Sequence, residues 1–423
     1  MNWTADSCSE DDVQYCVDNC ISDGDTVLIP AGACDWGDEV AVTGNITFEG
    51  AGSSSTLLTL SGSNDWFFDH QQVDTFAEYS GIGFYAPDGR GQGTSQGIYF
   101  RDTANYRVHD CYFEGCWHGV IAHKRVVKGL IDHNTFKRTD DYTSDYGIEL
   151  GSNYDDSKPD ECTYSEQSCR DAWDVFWDDP DTNYGMVFNE DFPAGSVGMI
   201  YVEANYFDWK GSACEGNWGS KMAICFRYNT IVNRDGNTGG VKPGAQWVEF
   251  YNNKVTNTAE GAEADPAGAA FYMRASGLVH HNEFVNYNSG GQFAAWYCGF
   301  GYCYTDQALM DEAYVFSNVY TNCDCPGDNS DCWTEWGEGA PERIAEDQNY
   351  FFRAPESGDR IYPYTMYTCP HPLTGLSGSC DEDMAGLTGY PTESGAGGGT
   401  TTTGGTGTIT TNGTGTITFG GGS

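Results

Sequence analysis

Short runs along the chain repeat one arrangement of apolar and polar positions. "VEANYFDWK", "FRYNTIVNR", "FYNNKVTNT" and "VHHNEFVNY" each hold an apolar residue, two variable residues, an asparagine, one variable residue and a second apolar residue. Asn205, Asn229 and Asn253 are spaced by 24 residues, Asn282 follows after 29 and Asn318 after 36. Upstream, Asn134 holds the slot in "IDHNTFKR" and Cys111 holds it 23 residues earlier in "VHDCYFEG". Val202, Phe226, Phe250, Val279 and Val315 fill the first apolar position, and Phe207, Ile231, Val255, Phe284 and Tyr320 fill the second. In "MIYVEA", Ile200 and Val202 alternate with Tyr201 and Glu203, which is the period of a strand. A repeat of this length predicts stacked coils. The asparagine falls at the corner between two short strands, where it tolerates left-handed backbone and can bond its own turn. Stacked coil on coil, its amide can also bond the asparagine of the next rung, and such a ladder is stable only when every member is partnered. The expectation is an all-β chain folded as a single parallel β-helix, a solenoid of about a dozen rungs.

The open ends of a solenoid expose strand edges that need cover. At the N-terminus, "SEDDVQYCVDNC" supplies a short helix with Ser9 as cap, Asp12 at the capping-box spacing, and Val13, Cys16, Val17 and Cys20 as its apolar stripe. "DGDTVLIPAG" then leads into the first strand. A cysteine-bearing cap helix, "GDTVLIPAG", Trp36 and "NITFEGAG" together resemble the opening of the pectate-lyase-like right-handed parallel β-helix superfamily. "YPYTMYTCPHPLTG" (362–375) is similar to a closing segment of bacterial β-helix proteins. The resemblance spans residues 8–375 and implies the fold. It leaves activity open, because that superfamily includes lyases, hydrolases, esterases, virus tailspikes and non-catalytic surface proteins. The expected organisation is a cap over 1–38, the β-helix over 39–360, a closing segment over 361–395 and a Gly/Thr-rich tail over 396–423. In the tail, "TGTITTNGTGTITF" has the pattern of a hairpin around Asn412-Gly413, so the tail serves as a linker or as a strand pair that docks on another subunit.

Composition supports a turn-rich β protein: 55 glycines, 14% aromatic and only 19% charged residues. The net charge of −42 excludes nucleic acid and anionic lipid as partners, and fits either solubility in a salty habitat or divalent-cation binding. No stretch is apolar enough to span a membrane. Seventeen cysteines without a single CxxC pair argue against a zinc ribbon and for disulfide staples in an oxidising, extracellular setting. The close pairs Cys111–Cys116, Cys162–Cys169 and Cys298–Cys303 are the expected bridges. Asn-x-Ser/Thr sequons at Asn2, Asn45 and Asn412 fit a secreted, cell-surface or virion protein. The opening "MNWTADSCSEDD" has no hydrophobic leader, so either a leader was removed or export follows another route.

Outward side chains on stacked rungs form columns. In the asparagine frame, Tyr201 and Glu203, Cys225 and Arg227, Glu249 and Tyr251, and Leu278 and His280 follow one another. Glu203 and Glu249, two rungs apart, lie near the carboxylate separation of an inverting glycosidase, about 6.5–9.5 Å. Arg227, Lys221, Tyr251 and His280 supply the bases and cations a uronate lyase needs. A plain cross-rung salt-bridge cluster is the competing reading. The insertion between Lys137 and Gly198 brings Asp140-Asp141, which resembles the paired aspartates of β-helix polygalacturonases without their Gly-His-Gly and Arg-Ile-Lys companions. It also brings Trp173, Phe176, Trp177 and Tyr184; Trp173, Trp177 and Tyr184 are candidate glycan-stacking residues or lid packing. Asp324, Asp328 and Asp331, set among three cysteines, are candidate Ca²⁺ ligands, although the regular DxDxDG loop is missing.

These readings leave two function classes. The first is an extracellular or virion-surface β-helix that binds a polysaccharide or cell-surface glycan and self-associates through its tail or faces, without catalysis. The second is a polysaccharide lyase or glycoside hydrolase acting on an acidic polysaccharide. The sequence favours the first, because no family-level catalytic set is complete.

Overall fold

The computed structural model describes residues 1–61, 66–73, 76–86, 96–103, 105–123, 128–137, 146–150, 199–209, 212–216, 222–233, 245–258, 270–273, 276–287, 291–294, 298–299, 302–303, 312–323, 332–336, 350–359, 361–367, 371–374, 408–411 and 415–418. The chain divides into one unit spanning Met1–Tyr390 and a second spanning Pro391–Ser423. In the second, Thr408–Thr411 pairs antiparallel with Gly415–Thr418, with Ile409 opposite Ile417, so the alternation read from the tail does close into a hairpin.

Among the described residues, three long parallel sheets of twelve, ten and six strands and a short parallel sheet of three build the first unit. Successive strands of the chain visit the sheets in turn, which makes the architecture a right-handed parallel β-helix. The twelve-stranded sheet carries the first apolar slot: Val202, Phe226, Phe250, Val279 and Val315 stand in register and are fully buried. The ten-stranded sheet carries the second, where Phe207, Ile231, Val255, Phe284 and Tyr320 stand in register. Upstream in that column Phe84, Phe113, Phe136 and Phe207 stack face to face at centroid distances of 4.9, 4.9 and 4.7 Å.

Between these two sheets runs the asparagine ladder. Each Oδ1 accepts both the backbone N–H and the side-chain amide of the asparagine one rung earlier. Asn205 donates to Asn229 at 3.0 and 3.1 Å, Asn229 to Asn253 at 2.9 and 3.1 Å, and Asn253 to Asn282 at 2.9 and 3.0 Å. Asn318 ends the run and Cys111 begins it, donating its backbone N–H to Asn134. One detail differs from the sequence expectation. The left-handed residue at each corner is the one before the asparagine: Asp110, His133, Ala204, Tyr228, Asn252, His281 and Ser317 all have φ between 53° and 59°. The ladder requires the asparagine side chain to point inward, so the strained turn is made one residue earlier. The ladder bonds offset a cost of the order of 1 kcal/mol per such residue.

The N-terminal helix Glu10–Asn19 is capped by Ser9, which accepts from the Asp12 N–H, and buries Val13 and Cys16. The reciprocal half of the capping box is routed through Ser7, whose hydroxyl donates to the Asp12 carboxylate and accepts from the Ser9 N–H. Cys8 and Cys34 form a disulfide beside the buried Trp36, whose indole donates to the Cys8 carbonyl. The expected Cys111–Cys116 bridge is absent: both thiols are free and buried, and burial pushes each pKa up to about 12. Cys111 is committed to the corner slot of the ladder, which aims its side chain into the core. Cys298 lies directly opposite Cys303 across a short antiparallel pair; Cys162 and Cys169 lie outside the described residues.

His70 is an interior histidine of the six-stranded sheet. Its Nε2–H donates to the Gly44 carbonyl at 2.8 Å, and Nδ1 accepts from the Tyr79 hydroxyl at 2.9 Å. Burial pushes its pKa down to about 4, against the opposing bond to Gly44. The folded state therefore holds it neutral, while the unfolded chain takes a proton near pH 6.5. The stability tied to neutral His70 is complete above about pH 6.5 and is lost as pH falls through about 4, a loss of about 3 kcal/mol. Urea unfolding of the wild type and His70→Gln should show their stability difference narrowing across that window. A constant difference would contradict the buried neutral imidazole.

Candidate functional site

The five residues Glu203, Arg227, Glu249, Tyr251 and His280 are brought together on the outer face of the twelve-stranded sheet, as their columns require. They do not face solvent. All five are at most 2% exposed, because residues 361–367 and 371–374 lie over them. Arg227 grips the Glu203 carboxylate through Nε at 2.8 Å and Nη2 at 2.6 Å, and its Nη1 donates to the Tyr251 hydroxyl and to the Tyr367 carbonyl. Tyr364 donates to Glu249 at 2.9 Å, and the His371 N–H donates to Glu203 at 3.2 Å. Farther along, Arg107 pairs with Asp132 through Nε and Nη2 and donates Nη1 to the Leu373 carbonyl. His280 stacks between Tyr251 and Phe316, and desolvation holds its pKa well below the usual value. The face is a receptor for the chain's own closing segment.

Other expected positions fall elsewhere. Asn2 is exposed on the first strand, and Asn45 is half-buried with its Oδ1 accepting from the Phe76 N–H. Trp173, Trp177, Tyr184, Asp140, Asp141, Lys221, Asp324, Asp328, Asp331 and Asn412 lie outside the described residues. Among the described residues, no group of three or more His, Cys, Asp or Glu side chains is arranged to hold a metal ion, and no helix is long and apolar enough to cross a membrane.

The chemistry-bearing face that sequence reasoning missed is the outer side of the six-stranded sheet. Its strands include Trp66–Val73, Gln96–Thr103, His118–His123, Tyr146–Leu150 and Ser212–Gly216. Ile98, Phe100, Val120, Ala122, Ile148 and Leu150 point into the core. The alternating positions Asp69, Tyr99, Ile121 and Glu149 therefore line one outer column, in register. A second outer row, Trp66, Gln96, His118 and Tyr146, stands just before it. A glycine follows each of the last three, and the pairing register skips it. A Cβ on Gly97 would lie 2.1 Å from the Gly119 carbonyl, and one on Gly119 would lie 2.6 Å from the Phe136 ring. Only glycine lets the strand come this close, and the local break in alternation leaves the preceding side chain on the outer face.

Two clusters result. In one, His118 Nε2 lies 3.2 Å from Glu149 Oε2, its Nδ1 lies 3.4 Å from Gln96 Oε1, and the Tyr146 ring stacks on the imidazole at 5.7 Å. Trp117 closes the side of the imidazole edge-on. An amide oxygen accepts, so Nδ1 carries the hydrogen toward Gln96 Oε1, and Nε2, facing the Glu149 carboxylate, is the ring's basic nitrogen. In the other cluster, Trp66 stacks on Tyr99 at 4.3 Å, and the Arg101 guanidinium lies 4.3 Å from the Tyr99 ring centre while pairing with Asp69 at 2.9 Å. The signal for this face was present as "QGIYF", "HGVIA" and "YGIEL", three x-Gly-aliphatic runs with Gly97, Gly119 and Gly147 in the same slot.

A parallel β-helix with a histidine–carboxylate–tyrosine cluster on one sheet face belongs to an architecture that carries both catalysts and binding proteins. No protein-family model matches the chain, and no curated protein matches it. Among solved structures it is similar to an alginate lyase from Paenibacillus sp. str. FPU-7, with 11% identity over 79% of this chain and 98% of that one, at a TM-score of 0.47. It is also similar to a PL6 family alginate lyase, at 14% identity over 85% of this chain and 53% of that one, TM-score 0.38. The Agl-KA catalytic domain follows, at 11% identity over 81% of this chain and 64% of that one, TM-score 0.33.

Proposed function

We propose that the protein is a polysaccharide lyase acting on a uronate-containing chain, with its reacting centre at His118 on the outer face of the six-stranded sheet. The observation that carries this reading is the contact of His118 Nε2 with Glu149, beside Tyr146 and Gln96. Gln96 and Glu149 orient the imidazole, and Nε2 takes the proton from C5 of the uronate, leaving an imidazolium that the Glu149 carboxylate stabilises. As that C–H bond breaks, its electrons form the C4–C5 double bond and the C4–O bond breaks. Tyr146 donates its proton to the departing oxygen. Gln96 Oε1 accepts from Nδ1–H and holds the ring in that tautomer, and the Gln96 amide N–H groups can bond the uronate carboxyl group.

Geometry favours elimination over hydrolysis among the described side chains. Glu215 takes the next register position beyond Glu149; the two carboxylates of the column whose side chains are described, Asp69 and Glu149, stand three rungs apart, about 14 Å at about 4.8 Å per rung. That exceeds the 6.5–9.5 Å of an inverting glycosidase. Each is instead tied to a base, Asp69 to Arg101 and Glu149 to His118. Incubation with polygalacturonate, polymannuronate, polyguluronate and neutral glucans tests the reading. Expected is growth of ultraviolet absorbance from a C4–C5 unsaturated end on at least one polyuronate and none on glucan. New reducing ends without that absorbance would mean hydrolysis, and binding without cleavage would mean the non-catalytic glycan binder.

A further inference from the structure

We infer that Trp66, Tyr99, Arg101 and Asp69 form a second sugar subsite, two rungs from His118, that takes a non-reacting uronate residue of the same chain. The inference rests on the lyase reading of His118 for its context, but the subsite is defined by its own contacts. Trp66 pairs with Gln96 and Gln96 with His118, so the two clusters lie two strands apart. A polysaccharide laid along the helix axis crosses one strand about every 4.8 Å, close to the length of one pyranose unit. A chain whose reacting residue sits at His118 therefore passes over the Trp66–Tyr99 pair two residues away.

The chemistry at that point matches an acidic sugar. Trp66 and Tyr99 stack nearly parallel, 25° apart, with Arg101 also over Tyr99, so the half-buried Trp66 at the end of the stack is the ring on which a pyranose face packs. Arg101 is held in place on two sides, by the Tyr99 ring and by Asp69. Asp69 is itself fixed, because its other oxygen accepts from the Gln71 amide at 3.0 Å, and it is 6% exposed. With Nε facing Asp69, the forked end of Arg101 is the outer part of a side chain that remains one-third exposed. A guanidinium oriented in advance loses little freedom on binding a carboxylate. In a chain of net charge −42, an arginine fixed on a substrate face supplies the local attraction that an anionic polymer needs.

The test uses the full-length protein and size-defined oligouronates. Arg101→Gln should raise KM for a tetrauronate about 10- to 100-fold, with little change in kcat, while cleavage of a disaccharide, too short to span both clusters, stays as in the wild type. Trp66→Ala should give the same length-dependent loss and guards against a folding defect peculiar to Arg101. Calorimetric titration of tetrauronate and of neutral cellotetraose into His118→Ala separates the two readings, because it needs no turnover. Expected there is a further loss of tetrauronate affinity on adding Arg101→Gln, with cellotetraose unaffected. If Arg101→Gln weakens short and long substrates alike, or weakens neither, the subsite does not exist. If His118→Ala remains active while Arg101→Gln still lowers tetrauronate affinity, the subsite stands and the assignment of the base is wrong.

Discussion

His118→Ala should lower kcat/KM on the preferred polyuronate by about 10²- to 10⁴-fold, the usual contribution of a positioned general base. The imidazole stands in the outer row of the sheet, opposite Gln96 and Tyr146, so its removal leaves the inward-facing side chains of the core in place. The melting temperature should therefore stay close to that of the wild type. Glu149→Gln keeps a hydrogen-bond acceptor near Nε2 but removes the charge that orients the ring, so it should cost less than His118→Ala. Added imidazole should restore part of the activity of His118→Ala and none of the activity of Tyr146→Phe, which lacks the proton donor. A His118→Ala variant retaining more than about a tenth of wild-type turnover would remove this residue from the chemistry.

The fold was readable from sequence because the asparagine ladder is strictly periodic where it matters. Residues 205, 229 and 253 keep a constant step, and each ladder bond demands an asparagine, so the corner between two sheets announces itself. The third sheet carries no such demand. Its rows begin at 96, 118, 146 and 212, and the unequal steps reflect insertions between strands, so no period survives. The glycine after Gln96, His118 and Tyr146 also breaks the alternation that would have marked which side chains point outward. The asparagine frame therefore drew attention to a face that is covered. Glu203, Arg227, Glu249, Tyr251 and His280 do form columns of charge, but nothing in local spacing reveals that a segment some 140 residues beyond Arg227 returns to cover them. The stretch 362–375 resembles a closing segment in sequence, but that resemblance does not say which face it closes over, and its aromatic content is also what a sugar-binding loop would show.

The covered face makes a second strong prediction. Glu203→Leu should destabilise the protein by about 3–5 kcal/mol, because it strands a guanidinium in a site with no solvent. Arg227 is fully buried. Burial opposes its charge, yet its neighbours, Tyr251 and Glu203 foremost, hold its pKa above the usual arginine value. Arginine cannot escape by losing its proton, so without Glu203 the remaining partners are the Tyr251 hydroxyl and the Tyr367 carbonyl, both neutral. The same substitution removes the acceptor of the His371 N–H and so loosens the closing segment from below. The double variant Glu203→Leu/Arg227→Met removes both charges and should recover most of the loss, since a buried ion pair is frequently no better than apolar residues of similar size. Chemical denaturation measures the cost, and limited proteolysis within 361–374 measures release of the segment. The single variant should be cut there faster than the wild type, and the double variant at an intermediate rate. A Glu203→Leu protein as stable and as resistant as the wild type would mean that solvent reaches Arg227. The face would then be open, and the carboxylates of the twelve-stranded sheet would return as candidates for the reacting centre.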